Sequence, residues 1–360
     1  MGLELLVDHL GEPATAILGG LVIGLAFGAM AQRSRVCLRS AVIEFAEGRL
    51  GPKLAVWLLA FGAAVALTQL LVLTGAADLS QARQLAPRAS LSGAVLGGLL
   101  VGSGMILTRG CPSRLLVLSA NGNLRALLSG LVFAVVAQAS LRGALAPLRE
   151  ELAGLWLIDG PEVTDLLALL RLDRPAGLLL GLAALPVAAL VGLRHRIGPW
   201  AWIGGAGVGA AVAAAWWFTS SLAATSFEPV AVKSISFSGP SADMLMLFLA
   251  PATQSLDFDA GLVPGVVAGS FLAALLAREL KLEGFEGGQS MRRYIAGAAM
   301  MGFGAMLAGG CAVGAGVSGG AVFATAAWLA LFCMWLGAGV THWLVDRERA
   351  PAAGLVLAAR

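Results

Sequence analysis

Charge is scarce in this chain. Of 360 residues only 12% are Asp, Glu, Lys or Arg, while 58% are hydrophobic even before glycine is counted. Together with a mean hydropathy of +0.86, that composition excludes an ordinary soluble domain. The net charge of +3 is too small to support nucleic-acid binding. Histidine is nearly absent: His9, His195 and His342 stand far apart, and no two cysteines form a CxxC pair, so a zinc site has no obvious ligand set. The opening residues, MGLELLVDHLGEP, contain no Lys or Arg and so lack the basic start of a cleaved signal peptide. The first apolar span is therefore expected to stay in the mature protein.

What the chain does have is apolar sequence of membrane-crossing length. Such stretches lie at about 14–31, 53–74, 92–108, 126–146, 176–193, 199–220, 261–277, 294–308 and 321–345. The pattern predicts an all-α, polytopic membrane protein with about nine transmembrane helices, two or three of them short enough to be half-helices. Basic residues gather at 33–53, 109–125, Arg194 and Arg196, 278–293, and Arg347 and Arg349; acidic residues weigh more at the N-terminus, 150–165 and 228–259. Because basic loops stay cytoplasmic, this alternation predicts an outside N-terminus and a cytoplasmic C-terminus. Arg83 and Arg88 fall against it.

Self-similarity is centred on cysteine. "GLVIGLAFGAMAQRSRVCLRS" holds Cys37, "GGLLVGSGMILTRGCPSR" holds Cys111 and "AGAAMMGFGAMLAGGCAVG" holds Cys311. Nine residues before each thiol stands Gly28, Gly102 or Gly302, and thirteen before it Gly24, Gly98 or Ala298. Small residues four apart share a helix face and allow close backbone approach, so each copy predicts a tightly packed helix ending near a cysteine. A degenerate copy, "WIGGAGVGAAVAAAWWFTSSL", keeps Gly205 and Gly209 but has Phe218 and no thiol. After it comes "FEPVAVKSISFSGPSADML", too polar to face lipid; at membrane depth it must line a cavity walled by protein. The chain thus divides into two related halves, about 14–146 and 198–345, joined by a connector at about 147–197 to which the pattern gives no role.

The region from Met300 to Gly320 carries eight glycines, no charge and Cys311, a composition that breaks a helix and exposes its terminal N–H groups. The candidate helix breaks are Gly110, Gly309 and Gly310. Cys333, in the smooth apolar run "ATAAWLALFCMWLGAG", reads as packing. Cys37, Cys111 and Cys311 read as path residues, with Arg39, Arg109, Arg114, Ser236 and Ser238 as candidate anion contacts. A copper path would use Cys and Met, and Met105, Met300, Met301 and Met306 lie near thiols, but the arginines beside Cys37 and Cys111 would repel a cation. A membrane sulfurtransferase forming a persulfide on Cys37 or Cys111 is the rival enzyme class. It needs an acid or base near the thiol, and no histidine is close in sequence. Cations, helix ends and thiols in succession describe a conduit for a small anion with sulfur chemistry.

These motifs, "SRVCLRS", "LTRGCPSR" and "LAGGCAVGAGVSGG", with "FEPVAVKSISFSGPSADML" and "FLAALLARELKLEGFE", resemble the YeeE/YedE family of bacterial sulfur-compound transporters over nearly the whole chain. The resemblance implies a multi-pass protein of the cytoplasmic membrane, without cofactor, whose inward-dipping loops pass thiosulfate between cysteine thiols. It maps the family's cysteines onto Cys37, Cys111 and Cys311 and leaves Cys333 unmatched. It also implies a cytoplasmic sulfur-carrier partner of the TusA kind, and relatives linked to other sulfur or selenium species leave the substrate range open.

Overall fold

A computed structural model describes residues 7–226, 230–249, 256–285 and 288–345. Met1 and Arg360, Arg347 and Arg349, Phe227–Pro229 of the serine-rich stretch and Glu286 of "LEGFE" lie outside the described residues. Among the described residues the chain is helical apart from one two-stranded sheet. The long helices are α1 (Glu12–Ser34), α3 (Pro52–Leu73), α4 (Leu91–Leu107), α6 (Leu124–Arg142), α7 (Arg174–Arg194), α8 (Pro199–Thr225), α10 (Phe258–Leu276), α11 (Gly288–Leu307) and α12 (Thr325–Val345). Among the described residues nine spans are long and apolar enough to cross a membrane, and three of them, Glu12–Ala46, Leu91–Ala120 and Ser290–Gly319, continue past a cysteine into the next short helix.

Among the shorter pieces between them are α2 (Leu38–Ala46), α5 (Pro112–Ala120), α9 (Gly239–Leu249) and a π-helix at Ala312–Gly319; the connector adds short helices at Ala146–Gly154, Pro161–Thr164 and Leu166–Leu169. Nine spans and short broken helices are present as expected, and the breaks are sharply placed: three short helices follow a cysteine directly, each at the end of a longer helix. Their Arg, Ser and Gly content reads as loop in a hydropathy window, whereas a protein-lined interior supplies the partners their backbone needs.

Glycine sets the packing distance. Along α1, Gly20, Gly24 and Gly28 each face a backbone carbonyl of α10, those of Phe258, Leu262 and Val266. In return Gly261, Gly265 and Gly269 of α10 face the carbonyls of Ile17, Leu21 and Leu25. The same exchange joins α4 to α12, where Gly98 and Gly102 meet the Ala330 and Met334 carbonyls and Gly337 meets that of Leu99. Helix contacts follow one plan: α1 lies along α10 and α8 along α3, while α4 lies along α12 and α11 along α6. Further contacts join α1 to α8 and α4 to α11.

The connector is a strap. Strand β2 (Leu157–Asp159) pairs antiparallel with β1 (Arg88–Ser90), with Ala89 opposite Ile158. Farther on, the Leu166 N–H donates to the Phe323 carbonyl at 2.8 Å and the Thr325 hydroxyl to the Val163 carbonyl at 2.7 Å. One segment thereby ties the start of α4 to the start of α12 before α7 descends against α3.

Replacing Gly24 by Leu forces a side chain into the Leu262 carbonyl, an overpacking expected to destabilise by about 1–3 kcal/mol. Gly130 of α6 has nothing within 4 Å of the place a Cβ would occupy and is the control. Thermal unfolding in detergent should show a lowered midpoint for Gly24→Leu and none for Gly130→Leu. Equal effects at both sites would contradict glycine-set packing.

Candidate functional site

Each of the three repeat cysteines occupies the same local place. Helices α1 and α4 and helix α11 end, a residue takes the left-handed conformation, and two residues later a cysteine starts the next short helix. The left-handed residues are Arg35 (φ 54°), Arg109 (φ 58°) and Gly309 (φ 75°). After α4 the Gly110 N–H bonds to the Met105 carbonyl and the Arg109 N–H to that of Ile106, the doubled closure that ends a helix sharply. Cys37, Cys111 and Cys311 then cap α2, α5 and the π-helix in extended backbone conformation. All three are buried. A cap residue stands beside the free amides of the first turn, so each of these cysteines stands at the positive end of a short helix.

Cys37 and Cys111 come together. Their side chains interact directly, and the Arg114 guanidinium acts electrostatically on both. The Ser40 amide faces Cys37 and the Arg114 amide faces Cys111. Ser113 adds a hydroxyl 3.2 Å from the Cys111 sulfur. One guanidinium nitrogen of Arg114, Nη1, is buried without a partner among the described residues. Arg39 is half-buried in the first turn of α2, beside Cys37. Arg109 instead is exposed, its guanidinium 5.9 Å from the centre of the Tyr294 ring.

Around this thiol pair lies a polar cluster that the sequence did not reveal. Asn121 donates to the Gln32 carbonyl oxygen at 2.7 Å, and Gln32 donates to Glu279 at 2.9 Å. Glu279 also meets Arg35 at 3.4 Å and Arg33 at 3.8 Å. Buried Arg125 donates to the Thr108 carbonyl at 2.8 Å and lies 4.9 Å from the Tyr294 ring centre. It thus satisfies an acceptor that the end of α4 leaves open. Gln32, Arg33 and Arg35 lie in the Cys37 repeat, but Asn121, Arg125 and Glu279 reach the cluster from elsewhere in the chain, and polarity inside apolar sequence is the signal that marks those three.

Cys311 belongs to a second group. The π-helix it caps is held by Ser318, which donates to the Ile235 carbonyl at 2.7 Å, and by buried Trp216, whose indole donates to the Ser318 carbonyl at 3.3 Å. Residues 230–238, in neither helix nor strand, lie against it through Ile235 and Ser236. Alternation puts Ile235 and Phe237 into the core, with Phe237 5.2 Å from Phe27 between ring centres. Ser234, Ser236 and Ser238 line a cavity of ≈ 520 Å³. Ser236 also lies against Gly314 of the π-helix, and Ser236 and Ser238 are 3.2 Å apart.

The same cavity is bordered by Gly309, Lys233, Arg142, Arg149 and, in disagreement with a purely topological role, by Arg83 and Arg88. Lys233 bridges Asp257 at 2.5 Å and Asp259 at 2.6 Å. Burial works against its charge, yet the carboxylates of Asp259 and Asp257 outweigh burial and hold its pKa above the ordinary value. It is a cation at neutral pH. Ser90, at the start of α4, borders this cavity, whereas the far end of α4 leads to Cys111. The 17 residues of that helix rise about 25 Å, so the cavity and the Arg125 cluster stand toward opposite faces.

Gly110 and Gly310 pack closely against the turns they precede, Gly110 on Leu115 and Gly310 on the Ala315 amide. Cys333 lies elsewhere, its Cβ against Gly98 in the α4–α12 contact. Among the described residues no group of three or more His, Cys, Asp and Glu could hold a metal ion.

The family model described as Sulphur transport matches residues 33–340, which include all three capped half-helices. The chain belongs to the Sulphur transport family. A relative from Spirochaeta thermophila, named thiosulfate transporter TsuA, is 28% identical over 347 residues, covering 91% of this chain and 99% of its own. Thiosulfate transporter TsuA of Escherichia coli is 32% identical over 111 residues, 31% of each chain.

Cys311→Ala should abolish transport at normal expression, whereas Cys333→Ala should leave it near wild type, since only Cys311 caps a broken helix. Uptake normalised to membrane protein level reads the difference. Equal losses that track protein level would return both residues to a packing role.

Proposed function

We propose that this protein imports thiosulfate across the bacterial cytoplasmic membrane, as a conduit and not as an enzyme. The observation that carries this reading is the repeated placement of a buried thiol at the start of a short helix, three times in one chain. The two relatives named thiosulfate transporters support the choice of anion. Arg83, Arg88, Arg142, Arg149 and Lys233 attract the anion to the cavity. Ser236 and Ser238 with the Cys311 turn receive it, and Cys111 and Cys37 with Arg114 pass it on. Helix amides and arginines bind sulfonate-type oxygens, while the thiols are weak donors suited to the terminal sulfur. Several weak contacts in series hold an ion without trapping it.

The reciprocal helix contacts support treating 14–146 and 198–345 as two related halves of one transport domain. Basic residues around the Glu279 and Arg125 cluster favour placing that face in the cytoplasm, where a TusA-like sulfur carrier would receive the anion. Reporter fusions at Met1 and Arg360 should then report an outside N-terminus and an inside C-terminus; both ends on one side would overturn the orientation.

Selectivity is the sharper test. Purified protein in liposomes should take up labelled thiosulfate, and excess unlabelled thiosulfate should suppress that uptake. Excess sulfate should leave it largely unchanged, because sulfate carries the same charge but offers no soft sulfur to the thiols and leaves a firmer hydration shell. Comparable suppression by sulfate would mean that charge alone is read.

A further inference from the structure

Cys37 and Cys111 differ from the other two cysteines in one respect: each thiol has the other as its neighbour. Both sit at the N-terminal caps of short helices in extended backbone. Cys311 caps the π-helix beside residues 230–238, and Cys333 packs on Gly98. Burial excludes bulky reagents from the pair, but a conduit that admits a small anion also admits a peroxide molecule.

We propose that Cys37 and Cys111 are a modification site, closed to a disulfide by a hydroperoxide, and that closure shuts the conduit. The second half of this proposal rests on the transport reading above. In the first step one thiolate attacks a peroxide oxygen; the O–O bond breaks and the released hydroxide takes a proton to become water, leaving a sulfenic acid. The second thiol, giving up its proton, attacks that sulfur; the S–S bond forms, the S–O bond breaks and a second water leaves. Two electrons pass from the thiol pair to one peroxide. Both S–H donors are lost together, and the sulfurs are drawn to a bond length of about 2 Å. The starts of α2 and α5 become tied across the place where the two thiols would otherwise contact the anion. A dithiol reductant reverses the bond by exchange.

The test uses the full-length protein in liposomes, treated with hydrogen peroxide and then with catalase. One portion is assayed for labelled thiosulfate uptake before and after dithiothreitol. Another is alkylated in denaturant, digested and analysed by mass spectrometry. The expected result is a cross-linked species joining the Cys37 and Cys111 peptides, uptake reduced to the level of empty liposomes, and recovery of uptake as dithiothreitol removes the cross-link. Cys333→Ala should behave identically. Loss of uptake with both thiols still alkylated would overturn the site, and a complete cross-link with uptake intact would overturn the closure. If untreated liposomes show no uptake, the transport reading has failed and the spectrum alone decides the site: a cross-link sustains it and its absence ends it.

Discussion

The bilayer interior offers no water to a broken helix. Each interruption near a cysteine opens carbonyls on one side and amides on the other, and an unsatisfied backbone group in hydrocarbon costs several kcal/mol. The fold answers with partners from distant sequence. Arg125 reaches the Thr108 carbonyl, Ser318 holds Ile235, and Trp216 holds Ser318. Such partners are within reach because glycine lets α1 approach α10, and α4 approach α12, down to backbone contact. Close packing is thus the condition for irregular backbone, and irregular backbone is the condition for a site.

Satisfying the carbonyls by side chains leaves the amides of the short helices for another use. Those of Ser40 and Arg114 face the sulfurs of Cys37 and Cys111. Charge is then distributed unevenly along the molecule: on one side a broad cavity beside Ser234, Ser236 and Ser238, bordered by Arg83 and by Arg88, Arg142, Arg149 and Lys233 in ion pairs with carboxylates, and toward the other a compact cluster of Arg114, Arg35, Gln32, Asn121 and Glu279 around paired thiols. Long-range attraction suits the first, since an open cavity focuses field. Short-range contact suits the second, where the acidic Glu279 offsets part of the positive charge of Arg33 and Arg35.

Local pattern made the helices and the three cysteine stations legible. Gly24 and Gly28 announce a packed face, and a thiol just past an Arg or Gly turn announces a cap. Four features were not legible. The half-helices look like loops to a hydropathy window because their partners lie elsewhere in the chain. The pairing of Cys37 with Cys111, and the separate setting of Cys311, depend on how the helices assemble. Arg83 and Arg88 looked like exceptions to a charge rule until the cavity gave them a place. The connector carries no motif at all; its strand pairing with β1 and its bond to Phe323 exist only in three dimensions.

The central claim is that the anion's terminal sulfur touches thiols on its way through. An anomalous-scattering structure of the protein soaked with the selenium analogue of thiosulfate tests it directly, because the selenium marks the terminal atom and not the oxygens. Selenium peaks beside Cys311 or between Cys37 and Cys111, with the oxygens turned toward serine hydroxyls, Arg114 or helix amides, are the expected result. Peaks confined to the arginines of the outer cavity, or bound anions with selenium turned away from every thiol, would contradict it.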